Sequence, residues 1–358
     1  YCAKHFPLQR KPKKMKILVL HLSLLFLSFS INAKQVFLGP SNNSQEEIQE
    51  ALIDLEPGDI LTLKPGEYFF EDGLSLDIDD VIFEGSGIDE TILNFENQMS
   101  GAQGLLVTSN GVTIRDFAVL DAKGDAIKVI GADGIKMIRL RTEWTGGPKE
   151  TNGAYGFYPV ESKDVLIDGC VAIGASDAGI YVGQSQNIIV KNSIAQYNVA
   201  GIEIENSFYA DVFDNLTSHN TGGILVFDLP DLPQQGGHHV RVFRNKAINN
   251  DTDNFAPEGN IVGEVPRGTG IIIQANSDVE VFDNDIYGNG TVNLSIVLTD
   301  TILKMKTTIL IQDPFRSTEI DLEMGVSILM LGRENWQQSY LNCPMAICLI
   351  FFGMVFSP

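Results

Sequence analysis

Six side chains fall at the same position of a recurring Gly-apolar-x-apolar segment: Lys128, Tyr158, Tyr181, Glu203, Leu225 and Ile272. Alternation along an extended chain turns that position away from its apolar flanks. Lys128, Tyr158, Tyr181 and Glu203 would then share one outward face, with Glu205 beside them. Phenols, an ammonium and carboxylates on one face can move protons and can stack on a sugar ring. The same set also fits a solvated strand face with aromatic pairs across strands. The chemistry it would support is proton abstraction beside a carboxylate. Lys128 or Arg241 would neutralise the substrate's acid, and Tyr158, Tyr181 or His238 would transfer the proton. The catalytic candidates are thus Tyr158, Tyr181, Glu203, Lys128, His238 and Arg241.

Three insertions break the period, and two of them, those bearing Trp144 and His238, could wall a groove over that column, since loops on a regular scaffold commonly carry binding groups. Glu143–Tyr155 brings Trp144 and Tyr155, Phe227–His239 brings Asp228, and Asp251–Arg267 brings Arg267. With Glu205 these are the substrate-binding candidates. His238 and His239 with Asp228 or Asp231 could ligate a metal, but adjacent residues project apart on an extended chain, and no metal site is assigned. Asp121–Asp125 lacks the twelve-residue ligand series of an EF-hand, and no phosphate-cradling glycine loop follows a strand and opens a helix.

The elements that must hold these side chains repeat. Gly156, Gly179, Gly201, Gly223 and Gly270 each open a short apolar run, with gaps of 23, 22, 22 and 47 residues. A second landmark, an apolar pair closing on a polar pair, recurs at Ile114, Ile138, Ile167, Val190, Phe213, Phe243 and Phe282. Its gaps are 24, 29, 23, 23, 30 and 39, lengthened only where insertions intervene. Short, β-branched, alternating segments are strands. Three strands and three turns account for a coil of about 23 residues. One coil cannot bury its apolar face alone, so coils must stack into a solenoid. Asn192, Asn215, Asn245 and Asn284 follow the second landmark and are expected to form a hydrogen-bonded ladder along the axis. Ser44–Glu47 reads as a capping box opening a helix with Ile48, Leu52 and Leu55 on its inner face, a plug for the solenoid's open end.

The run Ala51–Tyr68 (ALIDLEPGDILTLKPGEY), then Gly85-Ser-Gly87 and the repeats, resembles the right-handed parallel β-helix proteins of the pectate-lyase-like superfamily, in particular exported bacterial parallel β-helix repeat proteins of unestablished function. The resemblance covers about 34–297 and implies an all-β solenoid. It does not carry a catalytic pattern across. The Asp-Pro-His-Asp run of mannuronan epimerases and the Gly-His-Gly set of polygalacturonases are absent. A calcium-assisted lyase would need Asp125 or Glu203 and Glu205 with Arg241 or Arg267.

Of the chain's 358 residues 44% are hydrophobic and 20% charged, a globular balance, and the net charge of −21 argues against unaided binding to nucleic acid or an anionic membrane. Cys2, Cys170, Cys343 and Cys348 are too scattered for a disulfide framework or a cysteine zinc site. Residues 1–14 lack periodicity and read as an upstream or non-native segment. Met15–Ala33 has a charged start, an apolar run and a small-residue exit, the pattern of a signal peptide leading to a secreted or periplasmic protein. The run is too short for a membrane span, and the core 34–297 is expected to hold none. It contains 31 of the 34 glycines, and 298–358 reads as a divergent or out-of-frame tail. Within 34–297 the charge is −25, so an anionic polymer would need calcium as a bridge, the one cofactor this reading would ask for. The sequence therefore points to a protein that binds or modifies a polysaccharide, as a uronate lyase or epimerase. The alternative is a non-enzymatic scaffold that binds a protein partner or assists maturation of a metallo-enzyme.

Overall fold

The computed structural model describes residues 33–297 in full and, beyond them, the backbone of strands Thr307–Asp313, Arg316–Leu322 and Ile328–Met330. The expected leader, the segment before it and most of the tail lie outside the described residues.

Within each coil the chain visits three sheets in a fixed order. Asp125–Ile130 joins the first sheet, Asp133–Ile138 the second and Arg141–Glu143 the third. The next coil repeats this with Tyr155–Val160, Lys163–Asp168 and Val171–Ile173. Each strand pairs in parallel with its equivalents one coil away. The sheets hold ten, twelve and nine described strands. Hydrogen bonds between equivalent positions of the middle coils span 22 or 23 residues, the expected coil length. At the C-terminal end Thr307–Asp313 continues the second sheet in parallel, whereas Arg316–Leu322 and Ile328–Met330 pair antiparallel.

The core is a set of inward rows. In the first sheet Ile127, Phe157, Ile180, Ile202, Ile224, Ile271 and Leu294 stand on one another and are all buried. Burying a side chain of this size contributes roughly 2 kcal/mol each.

Two asparagine ladders line the corners. Asn215 donates to Asn245 and Asn245 to Asn284, both at 3.0 Å, as expected. Asn192 does not join them. It adopts a left-handed φ of 53° at the corner and donates outward to Asp168, as Asp214 and Arg244 occupy that same corner in later coils. The ladder position is one residue on, at Ser193, whose backbone amide donates to the Asn215 side-chain Oδ1 at 3.0 Å. A second ladder runs Asn198, Asn220, Asn250 and Asn289. It explains the glycine landmark. A Cβ on Gly179 would stand 2.6 Å from the Asn198 amide nitrogen, and Gly201, Gly223 and Gly270 meet Asn220, Asn250 and Asn289 in the same way.

The helix spans Ser44–Ile53 and buries Ile48 and Leu52 against the core. The expected capping box is absent, because Ser44 lies inside the first turn, where its hydroxyl donates to the Ser41 carbonyl. The Ser41 hydroxyl takes the Glu47 carboxylate instead. Gln49 closes the edge of the first sheet, since its side chain accepts from the Ser75 amide and donates to the Ser75 carbonyl. Those backbone groups would otherwise invite another strand.

Candidate functional site

The predicted column exists. Lys128 stands on Tyr158, Tyr181 on Glu203, Glu203 on Leu225 and Leu225 on Ile272. It is not an open face. In the middle coils the strands Ala178–Gly183, Ala200–Glu205 and Gly222–Phe227 are buried on both sides, because two of the insertions fold over them. Leu229 from the Asp228 loop, and Val262 and Val265 from the 251–267 loop, pack onto Tyr181, Leu225 and Ile272. Toward the N-terminal end the cover stops, leaving Tyr155, Tyr158, Lys128 and Asp125 half-buried.

The margin of this cover gathers acids and phenols. The rings of Tyr155, Tyr158 and Tyr181 lie 4.3 to 4.9 Å apart. The Tyr155 hydroxyl donates to Asp177 at 3.3 Å and that of Tyr181 to Glu205 at 2.7 Å. The Asn260 amide reaches the same Asp177 oxygen from the covering loop at 3.4 Å. Glu203 is 3% exposed, and its Oε2 has no hydrogen-bond partner among the described residues.

Burial and mutual repulsion hold these carboxyls protonated beyond the usual carboxylate range. Asp177 is pushed up to about 7, chiefly by burial, against the Tyr155 hydrogen bond and with help from the Glu205 and Asp125 charges. Glu203 is raised well above its ordinary value by burial, then by Asp177 and Glu205. Glu205 is raised by burial and by Asp228, and held back by the Tyr181 hydroxyl. Asp125 is raised by burial despite the Lys128 ammonium 3.5 Å away. That ammonium also lies 4.5 Å from the centre of the Tyr158 ring.

The other expected residues lie elsewhere. His238 and Arg241 belong to Phe208's neighbour strand in the second sheet, His238–Phe243, rather than to the column, because the strand after a first-sheet strand always turns the corner. There His238 stacks on Phe208, and burial lowers its pKa, as does His239. Arg241 is bound by both oxygens of Asp211. Trp144 is a core plug, 5% exposed, with its indole N–H on the Ala122 carbonyl, and offers no face to a sugar. Asp228 accepts from the amides of Gly236 and Gly237 and so closes its own loop, and Arg267 ties the exposed foot of its loop to Asp253. No group of three metal-ligating side chains occurs among the described residues. Asp177 had escaped the sequence reading. It lies one residue before the strand Ala178–Gly183, outside the alternating run that the repeat marks. On the second sheet a wide groove of about 820 Å³ is lined by Ile189, Tyr209, Asp211, His239, Arg241 and Glu280 among others. Its acids are exposed or half-buried, so we place the candidate chemistry at the buried cluster.

The family described as "Right handed beta helix region" matches residues 79–231. The chain is a right-handed parallel β-helix. Its coils superpose on two mannuronan C-5 epimerase A-modules of Azotobacter vinelandii. One is 20% identical over 74% of this chain and 69% of the module, with a TM-score of 0.53. The other is 19% identical over 69% of this chain and 66% of the module, with a TM-score of 0.54. The catalytic domain of a family 87 α-1,3-glucanase, solved with tetrasaccharides, is 14% identical over 78% of this chain and 57% of that domain, at 0.52. At these identities the likeness is one of fold. No curated protein matches the β-helix in sequence.

Proposed function

We propose that this β-helix binds a polysaccharide along the outer face of its first sheet and cleaves it by acid–base chemistry, with Asp177 as proton donor and Glu205 as the base. The observation that carries the reading is three carboxyls gathered under partial cover, one of them with a pKa near neutrality. A catalytic acid is most effective when its pKa lies near the working pH, and a pair of carboxyls supplies the working parts of sugar hydrolysis. The Asp177 proton goes to the leaving glycosidic oxygen as its bond to the anomeric carbon breaks. Glu205 takes a proton from the water whose oxygen forms the new bond there. Tyr155 and Tyr181 orient the two carboxyls through the hydrogen bonds they donate. The loop bearing Asn260 and Val262 must yield for a sugar to reach Glu203.

Hydrolysis is preferred over the lyase or epimerase chemistry expected from the sequence. Removing a proton beside a carboxylate calls for a cation facing that carboxylate. Lys128 is engaged by Asp125, and Arg241 by Asp211. The expected leader at 15–33 would deliver the protein to where polymeric glycans lie, so secretion or a periplasmic location belongs to the same proposal. Incubation of the full chain with a panel of neutral, amine-bearing and uronate glycans tests it. New reducing ends without the ultraviolet absorbance of a C4–C5 double bond are expected, and they disappear in Asp177→Asn. A double-bond signal would instead make the protein a lyase. Silence on every glycan from a folded, β-rich sample refutes catalysis.

A further inference from the structure

The cluster is unbalanced in charge. Asp177 and Glu205 raise the proton affinity of Glu203, Glu205 raises that of Asp177 and Asp228 that of Glu205, and no cation of the described residues contributes to holding any of them ionised. The Glu203 side chain is almost fully buried yet leaves Oε2 unpartnered, a group that ordinarily has a hydrogen-bond donor facing it. Three phenol rings stand beside these acids. One coil earlier the chain fills the equivalent chemistry with its own ammonium, since Lys128 Nζ lies between the Tyr158 ring and the Asp125 carboxylate. An ammonium is attracted both to a ring face and to a carboxylate, and the attraction grows when the site is shielded from water.

We infer that the Glu203 carboxyl, with the Tyr155 and Tyr158 rings, receives a sugar bearing a protonated amine, so that the substrate class is a hexosamine polymer with free amino groups. This rests on the proposal that the first sheet's outer face is a saccharide site. An ammonium favours the ionised form that burial disfavours, and its N–H groups supply the donor that an ionised Glu203 lacks among the described residues. A uronate would add a negative charge to the same place, which argues against the anionic polymers that the fold first suggests. The chain's overall negative charge of −21 favours approach of a cationic polymer in the same sense.

Calorimetric titration of the full chain with a glucosamine hexamer, its fully N-acetylated counterpart, an oligogalacturonate and a neutral glucan oligomer decides the matter. The glucosamine hexamer binds at least about tenfold tighter than the acetylated one, and added salt narrows the gap. Glu203→Gln loses the preference while melting as cooperatively as the unaltered chain. Glu280→Gln, which removes the same charge from the second sheet, keeps it. Equal or tighter binding of the acetylated, neutral or uronate oligomer overturns the amine assignment and leaves the saccharide site standing. Binding of none of the four overturns both.

Discussion

The same coils present two outer faces that behave as different materials. On the second sheet the outward row Leu166, Ile189, Asp211, Arg241 and Glu280 alternates with buried residues in the ordinary way, and its Asp211 is matched by Arg241 in the next coil. On the first sheet the row from Tyr181 to Ile272 lies beneath two insertions, and its acids have no cation. Backbone geometry is shared, so the difference comes from what the insertions cover. Asp211 is half-buried and clasped through both its oxygens by Arg241. Asp177, under cover, holds its proton to about pH 7. A solenoid supplies many equivalent positions, and burial at a few of them is enough to turn a repeated surface into a reactive one.

The sharpest way to break this comparison is to neutralise one acid on each face. Asp177→Asn should lower glycan cleavage by about a hundredfold or more, the usual contribution of a general acid. Asp211→Asn should leave turnover unchanged. Equal losses in reducing-end assays would mean that the first sheet holds no special site.

Both faces stand on a common floor, which a ladder variant should expose. Asn245→Ala removes the acceptor of the Asn215 amide and side chain and the donor to the Val212 carbonyl, all buried. The cost should be about 3 kcal/mol in denaturant unfolding, since each stranded buried polar group costs ~1–3 kcal/mol. A change below about 1 kcal/mol would show that the coils do not depend on the ladder.

Much of this floor was legible in the sequence. Gly179, Gly201, Gly223 and Gly270 mark one sheet because the Asn198 ladder leaves no room for a Cβ, and the apolar alternation gives the inward rows. The column Lys128, Tyr158, Tyr181 and Glu203 was legible for the same reason. What lies over it was not. Alternation says which side a residue faces, but long-range packing of Val262 and Leu229 decides whether that side meets water. The error at Asn192 has a similar origin, because a polar pair closing a strand does not reveal which member takes the left-handed corner. His238 and Arg241 lie off the column because Val240-Arg-Val-Phe243 carries the second sheet's own landmark, and alternation does not reveal how far one sheet's residues stand from another's.

The acids also make the two faces differ in pH response. In the unfolded chain Asp177 and Glu203 lose their protons near their ordinary values of 3.8 and 4.5, whereas the folded cluster keeps the Asp177 proton to about 7. Between those limits the folded state binds more protons, so stability falls as pH rises through roughly 4 to 7 and is unaffected below. Glu203→Gln removes one member, and it should gain one to a few kcal/mol over the unaltered chain at about pH 8 but little at about pH 4. Parallel pH profiles from chemical denaturation would show that Glu203 titrates as an ordinary surface acid.

The smallest effect belongs to the second face. Arg241 is half exposed, and its bidentate bond to Asp211 looks strong in geometry alone. Water screens such a pair and ordering two long side chains opposes it, so Arg241→Ala should cost no more than about 1 kcal/mol and shrink further in high salt. The variant also uncovers the Phe243 ring, over which the guanidinium sits at 5.7 Å, and the Arg244 guanidinium at 4.7 Å retains most of that cover. A loss of several kcal/mol in thermal unfolding, or any loss of glycan cleavage, would mean that the second face is coupled to the first and that burial alone does not separate them.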